Sequence, residues 1–92
     1  MIQSFRCRHT LALFEGRCPR QFRSIQAVAE RKLQMLDAAQ TLQFLRCPPG
    51  NRLEALVGER RGQFSIRINV QWRVCFSWTD AGPCHVEIVD YH

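Results

Sequence analysis

The chain has 92 residues, 46% of them hydrophobic, and a formal net charge of +5. That length builds one small core and is too short for two, so a single domain over residues 1–92 is expected. The apolar content and the lack of polar low-complexity tracts exclude a disordered chain, and no apolar run approaches the length of a bilayer span.

The stretch from Met1 to Arg6 lacks the long apolar segment and small-residue cleavage site of a signal peptide, which points to a cytoplasmic protein with no membrane partner. The five cysteines, Cys7, Cys18, Cys47, Cys75 and Cys84, are odd in number and widely spaced. They form no Cys-x-x-Cys pair and no zinc-site pattern, so no metal is expected and they read as reduced thiols. Cys75, inside a strand, fits that reading best.

In chain order, Ile2 to Cys7 reads as a short first strand. Thr10 is placed to cap a short helix, Leu11 to Glu15, which Gly16 would stop. Pro19 suits the start of a second helix that runs to Gln40, with Ile25, Val28, Ala29, Leu33, Leu36 and Ala39 at spacings of three and four. The pair would form a helical hairpin. Thr41 to Leu45 is ambiguous, Cys47-Pro48-Pro49-Gly50-Asn51 is a loop, Arg52 to Leu56 a short strand, and Gly58 to Gly62 a charged turn.

The period then becomes two. Phe64, Ile66, Ile68 and Val70 alternate with polar residues, as do Trp72, Val74, Phe76 and Trp78; Asp80-Ala81-Gly82-Pro83 breaks the run, and Val86 and Ile88 resume it. This describes a three-stranded antiparallel meander. The expected fold is α+β, an N-terminal helical hairpin packed on the apolar face of an antiparallel β-sheet. Arg67, Arg73, Ser77 and Glu87 would occupy the other face.

Twelve of the thirteen basic residues are arginines, Lys32 being the exception, and all lie between Arg6 and Arg73. From Val74 onward the only charged residues are Asp80, Glu87 and Asp90. Arginine offers a planar fork of donors that matches phosphate, although a GC-rich genome gives the same bias. A body polarised in this way attracts a phosphate backbone or an acidic protein.

No Gly-rich phosphate loop or Ser/His/Asp arrangement is present. Arg73, fixed in a strand centre opposite Trp72 in the alternation, is either a phosphate clamp or a strand arginine paired with Glu87 or another acid. His92 titrates near neutrality and can transfer a proton, or is a frayed terminal residue. Tyr91 can stack on a base or simply pack; Asp90 can orient a neighbour or sit solvated. Glu54 is either a general base near a phosphate or a solvated charge. Cleavage of RNA by its own 2′-hydroxyl needs a base, a phosphate-holding cation and an acid, and Glu54, Arg73, Tyr91 and His92 supply those types with no cofactor.

The segment Asn51-Arg52-Leu53-Glu54-Ala55-Leu56, the turn to Gly62, Phe64-Ser65-Ile66-Arg67-Ile68-Asn69, Gln71-Trp72-Arg73-Val74 and the terminal Asp90-Tyr91-His92 resemble the HigB-type toxins of the RelE/ParE superfamily of type II toxin–antitoxin systems. Met1-Ile2-Gln3-Ser4-Phe5 and Leu36-Asp37-Ala38-Ala39 resemble them too. The resemblance implies a ribosome-dependent endoribonuclease that cuts mRNA in the A site. It also implies a HigA-like helix-turn-helix antitoxin, with the complex repressing its own operator DNA. Arg73 matches the family's phosphate-binding arginine, and Asp90, Tyr91 and His92 its functional C-terminus. On that basis His92 transfers a proton, Tyr91 positions a base or sugar and Asp90 orients its neighbours; Glu54, which departs from the family pattern, is the candidate base in place of the family's histidine. Arg52, Arg60, Arg61 and Arg67 would contact phosphates or ribosomal RNA. Many HigB toxins carry Arg-Leu-His-Pro-Leu-Lys-Gly where this chain has Glu54 and Val57 in place of the histidine and lysine. A non-catalytic toxin acting on a protein such as DNA gyrase, and an attenuated toxin surviving as co-repressor, are the alternatives.

Overall fold

The computed structural model describes residues 1–90, so the roles assigned to Tyr91 and His92 lie outside the described residues. Two helices, α1 (Arg8–Phe14) and α2 (Gln26–Ala38), precede four strands, β1 (Glu54–Ala55), β2 (Gln63–Arg67), β3 (Trp72–Thr79) and β4 (Gly82–Asp90). The strands form one antiparallel sheet in the order β1-β2-β3-β4. The α+β expectation is therefore met, with the short Arg52–Leu56 strand reduced to β1.

Cross-strand register explains which face is buried. Ile66, Val74 and Ile88 lie side by side across β2, β3 and β4, and Phe64 lies beside Phe76. The apolar period-two residues thus share one face, and Leu13 of α1 with Ala29, Leu33 and Leu36 of α2 close over it. Each fully buried Leu, Ile, Val or Phe stabilises the fold by about 1.5–3 kcal/mol.

Val70 departs from the expected apolar face. It sits in the β2–β3 turn, 85% exposed. The turn begins at Ile68, whose N–H bonds back to Trp72 O at 2.9 Å, so the strand period has already ended there.

The N-terminal third differs from expectation in two places. Ile2 to Cys7 is not a strand; it makes one parallel bridge, Phe5 to Val86, flanked by Gln3 N–H to Pro83 O (2.7 Å) and Arg6 N–H to Val86 O (2.9 Å). Thr10 is not a cap; it lies within α1, fully buried, and its Oγ1 accepts from the Ile88 N–H at 3.0 Å. Both follow from the same need. Strand β4 is an edge strand, and its outward N–H groups at Val86 and Ile88 require acceptors once covered. Ser4 O supplies one, at 3.1 Å from Val86 N, and Thr10 the other.

The second helix starts as expected after Pro19, first as a 3₁₀ turn, Arg20–Ile25, and then as α2. The ambiguous segment is another 3₁₀ turn, Leu42–Arg46, capped by Thr41 Oγ1 accepting from Phe44 N–H.

The loop after it is pinned from inside. Asn51 is fully buried and donates through Nδ2 to Leu45 O (3.1 Å) and Cys47 O (3.3 Å), while Lys32 Nζ of α2 donates to its Oδ1. Burial, with a smaller contribution from Arg31, holds the Lys32 ammonium below its ordinary pKa. All five cysteines are free thiols. No helix among the described residues is long and apolar enough to cross a membrane.

Candidate functional site

The face of the sheet away from the helices is where the charged strand residues meet. Register places Arg67 of β2 directly beside Arg73 of β3, and Arg73 beside Val89 of β4. Two like charges side by side on a sheet are unfavourable unless other groups offset them. Here the offset comes from β1 and the loop before it. Arg73 Nη2 donates to Arg52 O at 2.9 Å, and Arg73 Nη1 lies 3.5 Å from Glu54 Oε1. The Arg73 side chain keeps only 13% of its exposure, against 49% for Glu54.

Arg52 can present its carbonyl in this way because of where the loop leaves it. It follows the 3₁₀ turn Pro49–Asn51 in a left-handed conformation, φ 46° and ψ 54°, a geometry that costs a non-glycine residue about 1 kcal/mol or more. The buried Asn51 beside it anchors the turn to α2 through Lys32. A chain of contacts therefore runs from α2 through Asn51 and Arg52 to the Arg73 guanidinium, which is preorganised rather than free to wander.

Arg52, Arg67 and Arg73 line a cleft of about 240 Å³ together with Asn69 and Val70. A small recess lined by three arginines suits an oxyanion with several acceptor oxygens, as a phosphodiester has. Asn69 shapes its rim. Its Oδ1 accepts from the Gln71 and Trp72 N–H groups, both at 2.8 Å, and fixes the β2–β3 turn.

Two comparisons place the chain among known proteins. A family profile described as the RelE-like toxin of the type II toxin–antitoxin system HigB matches residues 13–92. This chain belongs to the HigB-like toxin family.

The chain is 53% identical over 57 residues to Toxin HigB-1 of Vibrio cholerae, an alignment covering 62% of this chain and 60% of that protein. It is also 36% identical over 55 residues to an uncharacterized protein of Haemophilus influenzae, covering 60% of this chain and 54% of that one. The chain thus aligns with little more than half the length of each.

The remaining candidates fall in three places. Glu54 meets Arg73, as described, whereas Val57, at the other departure from the usual family pattern, is 85% exposed in the loop after β1. Asp90 pairs in register with Trp72, so alternation puts it on the helix side of the sheet, and its Oδ2 accepts from Gln71 Nε2 at 3.0 Å. β4 nonetheless ends at the same end of the sheet as the cleft, because Val89 lies beside Arg73.

Arg60 reaches across the open face to Glu87, its Nη1 donating to Oε1 at 2.8 Å and to Gln63 Oε1 at 3.2 Å. Arg6 Nε lies 3.9 Å from the same Glu87 oxygen. Glu87 is therefore held by Arg60 and Arg6, and Glu54 lies beside Arg73. Arg61 is exposed in the turn before β2.

Cys75 also belongs to the open face, in register with Ser65 and Glu87, yet it is fully buried. Burial pushes its thiol pKa up, Arg60 and Arg73 pull it down, and Glu87 raises it further, with burial the largest influence. No cluster of three or more metal-ligating side chains occurs among the described residues. Sequence reasoning missed the Arg52 carbonyl, Asn69 and Val70. Only Asn69 carried a signal, as a residue that favours turns between two strands.

Proposed function

We propose that this HigB-like toxin is an endoribonuclease that cuts mRNA on the translating ribosome, with Arg73 holding the scissile phosphate. The observation that carries the reading is the Arg73 guanidinium, fixed by Arg52 O and Glu54 at the wall of a cleft lined by three arginines. In this scheme a ribose 2′-oxygen attacks the adjacent phosphorus. The P–O2′ bond forms and the P–O5′ bond breaks, leaving a 2′,3′-cyclic phosphate and a 5′-hydroxyl end.

Glu54 takes the 2′-hydroxyl proton. A carboxylate near a phosphodiester is repelled, and Arg73 at 3.5 Å offsets that repulsion. His92 gives the proton to the leaving 5′-oxygen, and Tyr91 positions a base or sugar. Asp90, held by Gln71, orients its neighbours. Arg52 and Arg67 spread the developing charge, Arg61 contacts RNA from its exposed turn, and Arg60 holds Glu87. The reaction uses side chains alone and calls on no metal. A HigA-like helix-turn-helix antitoxin neutralises the toxin and, with it, binds operator DNA.

Inducing the toxin without its antitoxin and mapping RNA 5′ ends tests this. The wild type arrests growth and produces new cuts that depend on translation. Arg73→Ala and deletion of His92 each lower cutting by about a hundredfold or more. Arrest without such cuts contradicts the reading, and arrest with DNA damage points instead to a protein target such as gyrase.

A further inference from the structure

A second recess lies around the edge of the sheet from the cleft. Its volume is about 530 Å³, and its walls include Leu42, Gln43, Arg46, Arg52, Leu53 and Phe64. The 3₁₀ turn Leu42–Arg46 forms one side, and β1 and β2 form the other. Its size falls within the range of small-ligand sites. It has an apolar floor, an aromatic ring, two guanidinium groups and one side-chain amide.

Arg52 lines both this groove and the arginine cleft, so the two recesses meet at one residue. We infer that the groove receives one unstacked nucleotide of the RNA strand next to the scissile phosphate, and so reads a base.

The inference rests on the ribonuclease reading and deepens it. An unpaired base is held by stacking on aromatic or guanidinium planes and by hydrogen bonds to its edge. Phe64 and Arg46 offer the planes, and Gln43 offers an amide that both donates and accepts. Arg52 binds the linking phosphate. Charge complementarity favours a polyanionic strand, since Arg46 and Arg52 line the groove and no acidic residue among the described ones does. A peptide strand is less well matched, because the adjacent sheet edge, β1, is only two residues long and offers little ladder for another strand to extend.

NMR titration of the full-length toxin with 2′-O-methyl RNA trinucleotides, which bind but cannot be cut, tests the inference. Each trinucleotide is compared with versions lacking the base on one or the other side of a central phosphate. For the wild type, loss of one of these bases weakens binding about tenfold. Two variants remove that difference: Gln43→Ala at an exposed side chain, and Ala55→Trp, which fills the groove from the exposed edge strand. Matching amide spectra away from the groove show that both variants are folded.

Equal binding of intact and abasic RNA by the wild type overturns the inference, as does a failure of the wild type to bind RNA. Unchanged base discrimination in both variants also overturns it. If those variants instead escape neutralisation by a co-expressed antitoxin, the groove holds protein and the inference is wrong. The ribonuclease reading is judged separately, by whether mapped cuts depend on Arg73.

Discussion

Arg73 has most of its side chain withdrawn from water and lines the arginine cleft. A guanidinium held in that state has little rotamer freedom left to lose when a phosphate arrives. Its partner was the part that alternation alone did not reveal. Period two places Arg73 and Glu87 on the same face and invites a pair between them, but Arg60 reaches back from the turn before β2 and takes Glu87 first. Glu54 comes to Arg73 because β1 adds to the sheet with Glu54 beside Ser65, a register set by two residues that no periodicity can resolve. Replacing that carboxylate separates its two roles. Glu54→Gln keeps a hydrogen-bond acceptor but removes the base, and lowers the single-turnover cleavage rate by about 10²–10⁴-fold. Glu54→His restores a base and recovers most of the rate. Equal rates for wild type and Glu54→Gln show that the carboxylate takes no proton.

At the scale of elements, α2 and the long strands were legible because each repeats its apolar period several times, whereas α1 was read from Thr10 and Gly16 alone and starts earlier than that reading, at Arg8. The N-terminal segment was not legible, since its role is to supply acceptors to the outer edge of β4 rather than to form a strand of its own. Thr10 shows why residue type misleads. A threonine near a helix start suits a cap, but here the same hydroxyl serves the Ile88 N–H from within α1. Thr10→Val keeps the shape, strands that buried N–H, and costs about 1–3 kcal/mol in urea denaturation. Hydrogen exchange at Ile88 rises with it, whereas a capping role leaves that amide unchanged.

The link between α2 and the loop before β1 gives a pH signature. Burial holds Lys32 below its ordinary value of 10.5, so between the depressed pKa and 10.5 the unfolded chain binds a proton that the folded chain does not. The contribution of this group to stability is therefore greatest above about 10.5 and is lost as pH falls through the folded pKa. Urea midpoints of the wild type and Lys32→Met, compared from neutral pH to 10.5, shift in favour of the wild type as pH rises. A difference that does not vary with pH contradicts a desolvated ammonium at this position.

For the whole molecule, charge is sorted by position. The arginines converge from the Pro49–Asn51 turn, β2 and β3 on one cleft, and the last strand contributes no Lys or Arg. That polarity was readable from the order of charges, and the open sheet face as its destination followed from alternation. The cleft itself was not, because its rim depends on the left-handed turn at Arg52 and on Asn69 folding the β2–β3 turn. If three arginines each neutralise one phosphate, log affinity for single-stranded RNA falls against log salt with a slope of about −2. Arg67→Ala makes that slope shallower by about 0.7, as anisotropy over a salt series would show. The central claim, that Arg73 serves cleavage of mRNA on the ribosome, is tested most directly by adding purified toxin to programmed ribosomes that hold a defined mRNA. The account predicts a cut in the A-site codon that requires the ribosome and drops by at least about a hundredfold with Arg73→Ala. An intact message, or a cut that Arg73→Ala leaves unchanged, contradicts it.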